Sequence, residues 1–508
     1  MSTVVPRALG TEVEYGILAP SQPAVSPIIT SSHVVVAYAA HTAYGHTQWD
    51  FAGESPLKDQ RGFDLRRYHT VPNIGARQVG QASLMVANGA RFYVDHAHPE
   101  YSSPETFSAA DATLWDAAGV EIMRRSVAAV DEFTARGESA LTGHPPAPVG
   151  LKIYRNNVDG KGASYGAHEN YLYSRELDFT RLAAGLTPFL ATRQVFAGAG
   201  RIGIGVESET AGFQISQRAD YIATTISLET TLNRGIINTR DEPHTDGEQF
   251  GRLHVIIGDA NMSQTATYLK LGSTSLVLDA LEADIDFSDL ELADPVGAVH
   301  AISHDPTLSV RVPLRDGREL TGVEIQREYH ARVRPVSDDA RAVWQRWGEV
   351  LDLLATDPAA TAHLLDWTAK LALLEGFRRR GMAWSDPKLS LVDLQYHDID
   401  PAKSLYSALV RRGQMVEMFD HDRVVWAADN PPETSRAYFR GRVMDLYGAH
   451  VRAVNWAEIV LADPDIVVDM SEVSSFTAAD TEMLVADEPE YPGFVRRLEQ
   501  LLGETGRR

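Results

Sequence analysis

Four short segments of this chain place polar, ligand-type side chains two residues apart, the spacing that puts them on one face of a β-strand. Glu12 and Glu14 do so in GTEVEYG, and Arg91, Tyr93 and Asp95 in RFYVDHAHPE. His168 and Asn170 follow in GAHENYLY, and Arg252 and His254 in GRLHVIIGD. If these strands are neighbours, one sheet face carries carboxylates, imidazoles and guanidiniums together. Such a face cannot be core, because unpaired buried charge is costly. It can be a floor for metal ions and a polyphosphate. Carboxylates with a few imidazoles suit Mg2+ or Mn2+, and arginines suit phosphate oxygens. Each pair alone has a plainer reading: a solvated edge strand for Glu12 and Glu14, a hydrogen-bonded structural histidine for His168 or His254, an ion pair for Arg91 with Asp95. The joint occurrence is what favours a site.

Composition narrows the chemistry. The chain has no cysteine, which removes disulfide scaffolds, thiolate metal sites and cysteine nucleophiles. Its formal charge of −22 argues against a general nucleic-acid-binding face. Neither a signal-peptide pattern nor an apolar run of about 18 residues is visible, so the expectation is a cytoplasmic protein without a membrane span. The sequence contains no GxxxxGK[ST], G-x-S-x-G or H-E-x-x-H motif, and GAGRIGIG (198–205) reads as a glycine-rich loop.

The organisation follows from periodicity. Residues 8–18 alternate like a strand, 27–39 read as another β-rich stretch, and strands are expected at 90–96, 151–156, 168–174, 211–217 and 252–258. Helical pattern covers 108–136, 219–233 and 358–380, and Ser337 is placed to cap a helix over 338–355. Residues 40–79 follow neither period, and a connection this long is usually a functional loop or disorder; Trp49, Phe51, Leu57, Phe63 and Leu65 favour partial docking. A Pro-bearing hinge at 428–441 leads into a small α+β appendage. Strands and helices mix without regular βαβ units, so the fold class is α+β.

At these residues the sequence resembles the Pup ligase/deamidase family, related to glutamine synthetase-like carboxylate–amine ligases. The resemblance rests on GTEVEYG, RFYVDHAHPEYSSPE, SYGAHENYLYSRE, FQISQRADYI and GRLHVIIGDANMSQ, and spans roughly residues 8–450. It implies a large domain (1–430) with a curved, mainly antiparallel sheet holding ATP, Mg2+ and Pup, an inserted active-site loop at 40–79, and a small domain at 431–508. One branch of the family ligates Pup to lysines. The other hydrolyses, converting the C-terminal Gln of Pup to Glu and releasing Pup from tagged proteins, with ATP bound but not stoichiometrically consumed. The hydrolytic branch is favoured by GTEVEYG in place of an I-E-T-E-F pattern, by His96 after Asp95, and by the 83 positions between Glu12 and Asp95, which make room for the loop.

Carried over by motif, Asp95 is the catalytic carboxylate, as nucleophile or general base. Glu12, Tyr93, Glu100, His168 and His254, with Glu14, resemble the Mg2+ ligands. Arg91, Ser103, Asn170, Arg252 and Trp426 fall where the family contacts ATP. Pup is acidic, so Arg201, Arg218, Arg234 and Arg240 are expected to line a basic groove for it. The partners implied are Pup, pupylated proteins and the bacterial proteasome pathway, with neither nucleic acid nor membrane. The alternatives are a Pup–protein ligase, a glutamate–cysteine ligase-like enzyme, and a non-enzymatic Pup-binding regulator.

Overall fold

The computed structural model describes residues 7–505 except 43, 46, 52–53, 56, 63–78, 160–161 and 488–489. An eight-stranded sheet organises them, built from β1 (Leu9–Glu14), β2 (Ser83–Met85), β3 (Arg91–Asp95), β4 (His98–Ser102), β5 (Ala167–Ser174), β6 (Ile222–Ser227), β7 (Arg234–Asn238) and β8 (Phe250–Val255). Their spatial order is β6-β7-β8-β5-β1-β4-β3-β2. Only the β6–β7 pair is parallel. The fold is α+β with an antiparallel-rich sheet.

Alternation decides which face is core. Leu9, Thr11 and Val13 of β1, Phe92 and Val94 of β3, Tyr171 and Tyr173 of β5, and Leu253 and Val255 of β8 are buried. They face helices α1 (Pro27–Ala40), α2 (Ala109–Ala135), α3 (Phe179–Thr192) and α4 (Gln264–Glu282). Tyr101 of β4 presses so closely on α2 that a Cβ at Gly119 would lie 2.4 Å from its ring. One charged residue belongs to this buried face. Glu169 sits between His168 and Asn170, and its carboxylate takes both Arg193 guanidinium nitrogens at 2.6 and 2.7 Å and the Tyr171 hydroxyl at 2.7 Å.

Caps fall where the sequence puts them. Ser108 accepts from Asp111 N at the start of α2, and Ser337 accepts from Ala340 N at the start of the helix Asp338–Thr356. Other expectations are corrected. Residues 27–39 are not a strand but helix α1, with Pro27 in its first turn. Its Val34–Val36 run looks like β-propensity, but burial against the sheet overrides so weak a preference. The expected helix at 219–233 is a single 3-10 turn, Ala219–Tyr221, followed by β6, whose β-branched IATTIS suits an edge strand. The expected 358–380 helix begins only at Asp366, after a 3-10 turn at Pro358–Thr361.

A second sheet orders Ile466–Asp469, Glu458–Leu461, Val451–Val454 and Gln48–Trp49. Gln48–Trp49 pairs in parallel with Val451–Val454, so the segment read as an inserted loop lends a strand to the C-terminal region. Phe63 and Leu65 lie outside the described residues. Arg436 and Arg440 tie the same region to the main sheet by converging on Glu105, with Arg436 Nε at 2.8 Å. Among the described residues, no helix is long and apolar enough to cross a membrane.

Replacing Arg193 by Met strands the Glu169 carboxylate under β5. Breaking a buried pair costs about 3–5 kcal/mol. Denaturant titration of Arg193→Met should show a loss of that order, and an unchanged midpoint would remove the pair from the sheet's support.

Candidate active site

The opposite face of the sheet collects the polar residues. Register places Glu12 opposite both Ser102 and His168, Glu14 opposite Glu100, Glu100 opposite Tyr93, Arg91 opposite Ser102, and His254 opposite both Asn170 and Asn238. All four sequence segments therefore meet on one floor.

Two clusters emerge. In the first, Glu12 Oε2 lies 3.4 Å from His168 Nδ1 and 3.7 Å from His254 Nε2. Glu12 Oε1 accepts from Arg252 Nη2 at 3.0 Å, and Arg252 Nε donates to Asn170 Oδ1 at 2.7 Å. Burial works to raise the Glu12 pKa, but Arg252 and the two histidines hold it well below the carboxylate range. His254 is fixed through Nδ1 to Asn238 Oδ1 at 3.0 Å. Burial and Arg252 push its pKa far down, leaving a neutral imidazole whose buried Nε2 has no hydrogen bond and faces Glu12 and His168. A carboxylate, two imidazoles and an orphaned ring nitrogen form a donor set that fits a divalent cation.

The second cluster is Glu14, Asp95 and Glu100. Glu14 accepts from Gly166 N at 2.7 Å and sits 2.9 Å from His98 Nδ1, whose ring lies tilted against Tyr165 at 4.3 Å. A Cβ at Gly166 would displace the site's own side chains, lying 2.3 Å from His168 Nε2 and 2.8 Å from Glu14 Oε1. Against burial, His98 holds the Glu14 pKa low. Glu100 is pushed well above the carboxylate range, first by burial and then by Asp95, Glu14 and Glu12. Burial, with Glu100 and Glu12 next, raises the Tyr93 hydroxyl. Asp95 is the open member, its side chain 40% exposed and paired at 3.0 Å with His96. That contact raises His96 to about 9. His96 itself takes a left-handed backbone, φ 51°, at the turn into β4. Crowded carboxylates of this kind are common where a cation or a proton is to be handled.

Beside the first cluster opens a pocket that is continuous with solvent. Glu12, Ser103, Asn170 and Arg252 line it, as do Glu242, His244, Arg436 and Trp456. The last four went unnoticed in the sequence, because they sit in loops and in the C-terminal region with no strand spacing to betray them. Trp426 is not there. It lies under Arg423 at 3.9 Å and edge-on to Trp115 of α2, on the helical side of the sheet. Arg91 lies outside the pocket lining, packed by Trp49 and Glu54 of the 40–79 segment. Its guanidinium stacks 3.9 Å over Trp49 and 4.2 Å over Tyr93 and donates to Glu54 at 3.1 Å, while Trp49 Nε1 donates to the same carboxylate at 2.8 Å. Farther along, Gln60 donates to the Arg252 carbonyl, and Ser55 N donates to the Glu242 carboxylate.

The expected basic groove does not form from the named arginines. Arg218 is buried, with Nε on the Ile256 carbonyl at 2.9 Å, Nη1 on the Tyr165 carbonyl and Nη2 without a partner. Arg201 turns onto the Val206 carbonyl and Ser208 Oγ, both at 3.0 Å, and Arg234 onto the Thr230 and Ser164 carbonyls, both at 2.9 Å. Arg240 is half-buried and pairs with Glu242 at 2.6 Å. Backbone carbonyls in tight loops thus accept from three of these four guanidiniums and turn them inward.

Comparison with known proteins places this geometry. A Pup deamidase/depupylase of Mycolicibacterium smegmatis is 52% identical over 465 residues, covering 89% of this chain and 91% of that protein. The solved complex between Pup and its ligase PafA superposes with a TM-score of 0.77 at 29% identity, covering 98% of this chain and 95% of that one. The Pup ligase PafA in complex with ADP gives a TM-score of 0.70 at 34% identity, covering 80% and 90%. The family model described as Pup-ligase protein matches residues 7–460, and the chain belongs to that family.

Proposed function

We propose that this chain is an ATP- and Mg2+-dependent amidohydrolase that deamidates the C-terminal Gln of Pup and cleaves Pup from substrate lysines. The observation that carries this reading is the open Asp95 carboxylate beside the buried Glu14–Glu100 pair, on a chain half identical to a Pup deamidase/depupylase. The same family contains ligases, but the ligase structures stand at 29% and 34% identity. Residues 1–430 hold the reacting groups in this reading. The 40–79 loop reaches the floor through Glu54 and Gln60, and residues 431–508 wall the nucleotide pocket through Trp456. The expected cytoplasmic setting belongs to the same proposal.

Hydrolysis of an amide needs a nucleophile, a polarised carbonyl and a proton for the leaving nitrogen. Asp95 serves as the nucleophile, giving an anhydride that water opens, or as the base that takes a proton from the attacking water. In either case the C–N bond breaks and the nitrogen leaves as ammonia from Gln or as a lysine amine from a tagged protein. Its proton comes from the attacking water through Asp95 in the base route, and in the nucleophilic route from a water whose hydroxide then opens the anhydride. Glu12, His168 and His254, and the Glu14–Glu100 pair with Tyr93, would hold Mg2+. Bound Mg2+ supplies Lewis-acid polarisation and compensates the crowded carboxylates. Ser103, Asn170 and Arg252 would meet the nucleotide, with Arg91 on its phosphate side. Arg218, whose Nη2 is unpartnered one residue from the Glu14 anchor at Gly166, is suited to the substrate's chain end or to the developing oxyanion.

Three outcomes test this reading. Mass spectrometry of Gln-ended Pup incubated with the protein, Mg2+ and ATP should show a gain of about one mass unit that disappears in Asp95→Ala, with nucleotide affinity retained. Release of ADP with attachment of Glu-ended Pup to lysine would make the chain a ligase instead. Trp456→Ala should weaken ADP binding by about fivefold or more, given about 1–3 kcal/mol for a base–aromatic contact. Trp426→Ala should leave that affinity unchanged, and the reverse pattern would return the nucleotide to Trp426. Mg2+ binding should tighten as pH rises, because the raised Glu100 carboxyl must lose its proton to become a ligand. Calorimetry in buffers of different ionisation enthalpy should reveal proton release on binding, and a pH-independent affinity would exclude Glu100.

A further inference from the structure

His96 and Ala97 turn β3 into β4, with Asp95 and His98 paired across the turn. His96 adopts the left-handed backbone described above, a conformation that histidine, asparagine and aspartate enter more readily than other side chains. Helix α1 holds the turn: Ser31, itself fully buried, donates its hydroxyl to the Ala97 carbonyl at 2.8 Å. The imidazole therefore stands beside the Asp95 carboxylate on a fixed support. Its Nδ1 lies 3.0 Å from Asp95 Oδ2, and its side chain is 68% exposed. Among the described residues, nothing else bonds to Asp95 Oδ1 or to His96 Nε2. One carboxylate oxygen and one ring nitrogen thus face the open side of the floor together.

Ammonia and a lysine amine are too basic to depart as anions, so the nitrogen must be protonated as the C–N bond breaks. The proton needs a carrier that can face that nitrogen while Asp95 is engaged at the acyl carbon. Glu100 keeps a proton but is buried among the other carboxylates. His98 is turned to Glu14 at 2.9 Å and packed on Tyr165. His96 is both protonated and open, because the contact with Asp95, helped by the Glu14 charge, holds its imidazolium up to about 9. Reach is not a difficulty. The leaving nitrogen is one bond, about 1.3 Å, from the carbon that is attacked, and reacting groups approach to about 3–3.5 Å. A ring already in contact with the attacking carboxylate lies within that range of the nitrogen.

We propose that His96 is a catalytic residue of the hydrolysis, the acid that delivers a proton from Nε2 to the leaving nitrogen. This rests on the reading of the chain as a Pup hydrolase and assigns the group that carries the proton. With Asp95 as nucleophile, Oδ1 bonds to the acyl carbon, the C–N bond breaks, and the nitrogen takes the Nε2 proton as it departs. Neutral His96 then accepts a proton from the water whose oxygen bonds to the acyl carbon. That step restores the imidazolium and releases the Asp95 carboxylate and the product carboxyl. With Asp95 as base, the proton it takes from water returns to the ring after the amine has left. Either use of Asp95 removes the charge that holds the imidazolium, so the ring becomes the stronger acid when the nitrogen needs its proton.

The test compares the wild type with His96→Asn, which suits the left-handed turn and keeps a donor for Asp95 but cannot transfer a proton. Two substrates are used with Mg2+ and ATP. One is Gln-ended Pup, and the other is Pup whose terminal glutamate carries a γ-4-nitrophenyl ester, which loses its phenolate without protonation. For Gln-ended Pup, kcat of His96→Asn should fall about 100-fold or more, the range of general acid catalysis, with KM and ADP affinity unchanged. Ester hydrolysis, corrected for the background with Asp95→Ala, should match the wild type, which also shows that the variant is folded and Asp95 in place. Equal loss on both substrates would make His96 a mere support for Asp95 and overturn the proposal. Undiminished deamidation by His96→Asn would overturn it as well, with the hydrolase reading intact. A wild type inert towards Gln-ended Pup would instead fail the hydrolase reading, and the proposal with it.

Discussion

The register of β1 between β4 and β5 is the constraint on which the rest depends. Side chains alternate with a period of two, so a slip of one residue would turn Glu12 and Glu14 into the helical core and lift Thr11 and Val13 onto the floor. Several contacts lock against that slip. Thr11 N donates to Ser103 Oγ and its hydroxyl to Asp116 of α2, Glu14 takes the Gly166 amide, and Tyr101 beds against Gly119. Each fixes a different strand, and each would be broken together with the others. The floor is thus placed by the packing of its underside.

The same logic explains why a sheet can carry so much charge on one side. The underside has its own ionic residue, Glu169, but it is closed off by Arg193 and Tyr171 and has no further valence to offer. The upper side is the reverse. Glu12 is matched by Arg252, and Glu14 by His98, but Glu100 has carboxylates for neighbours and its proton is held by them. His254 keeps an idle nitrogen in a dry place. Leaving polar atoms unmatched costs stability, so a floor arranged this way makes sense as a receptacle for a cation and an anion together, and poor sense as a structural layer.

The floor was legible in the sequence because strand spacing is a local signal: two-residue steps in four segments named Glu12, Glu14, Arg91, Tyr93, Asp95, His168, Asn170, Arg252 and His254, and pairing brought all of them together. What failed were features set by tertiary context. The Val34–Val36 run is helical because it is buried between α2 and the sheet, and Trp456 reaches the pocket only because Glu105 draws in Arg436 and Arg440. Trp426, named from its place before the Pro-bearing hinge, sits on a helix that packs on α2. The arginines of the expected groove misled for a related reason: a guanidinium that satisfies loop carbonyls looks the same in sequence as one that waits for a partner.

A ligase and a hydrolase of one family must differ in what reaches the acyl carbon, a lysine amine or water. The floor itself does not distinguish them, since both need the amide or acyl carbon polarised at the same carboxylates. The 40–79 segment is placed to matter. Trp49 and Glu54 hold Arg91 from one side, while Ser55 and Gln60 reach Glu242 and the Arg252 carbonyl on the other, so the described parts of the segment touch both flanks of the floor. An arginine sandwiched between Trp49 and Tyr93 and pinned by a carboxylate is held in place, and on the proposed reading, in which it meets the nucleotide's phosphates, it is not free to follow a departing phosphate. A hydrolase that keeps its nucleotide gains from such immobility. A ligase, which must transfer a phosphoryl group and release ADP at every turnover, would be slowed by it.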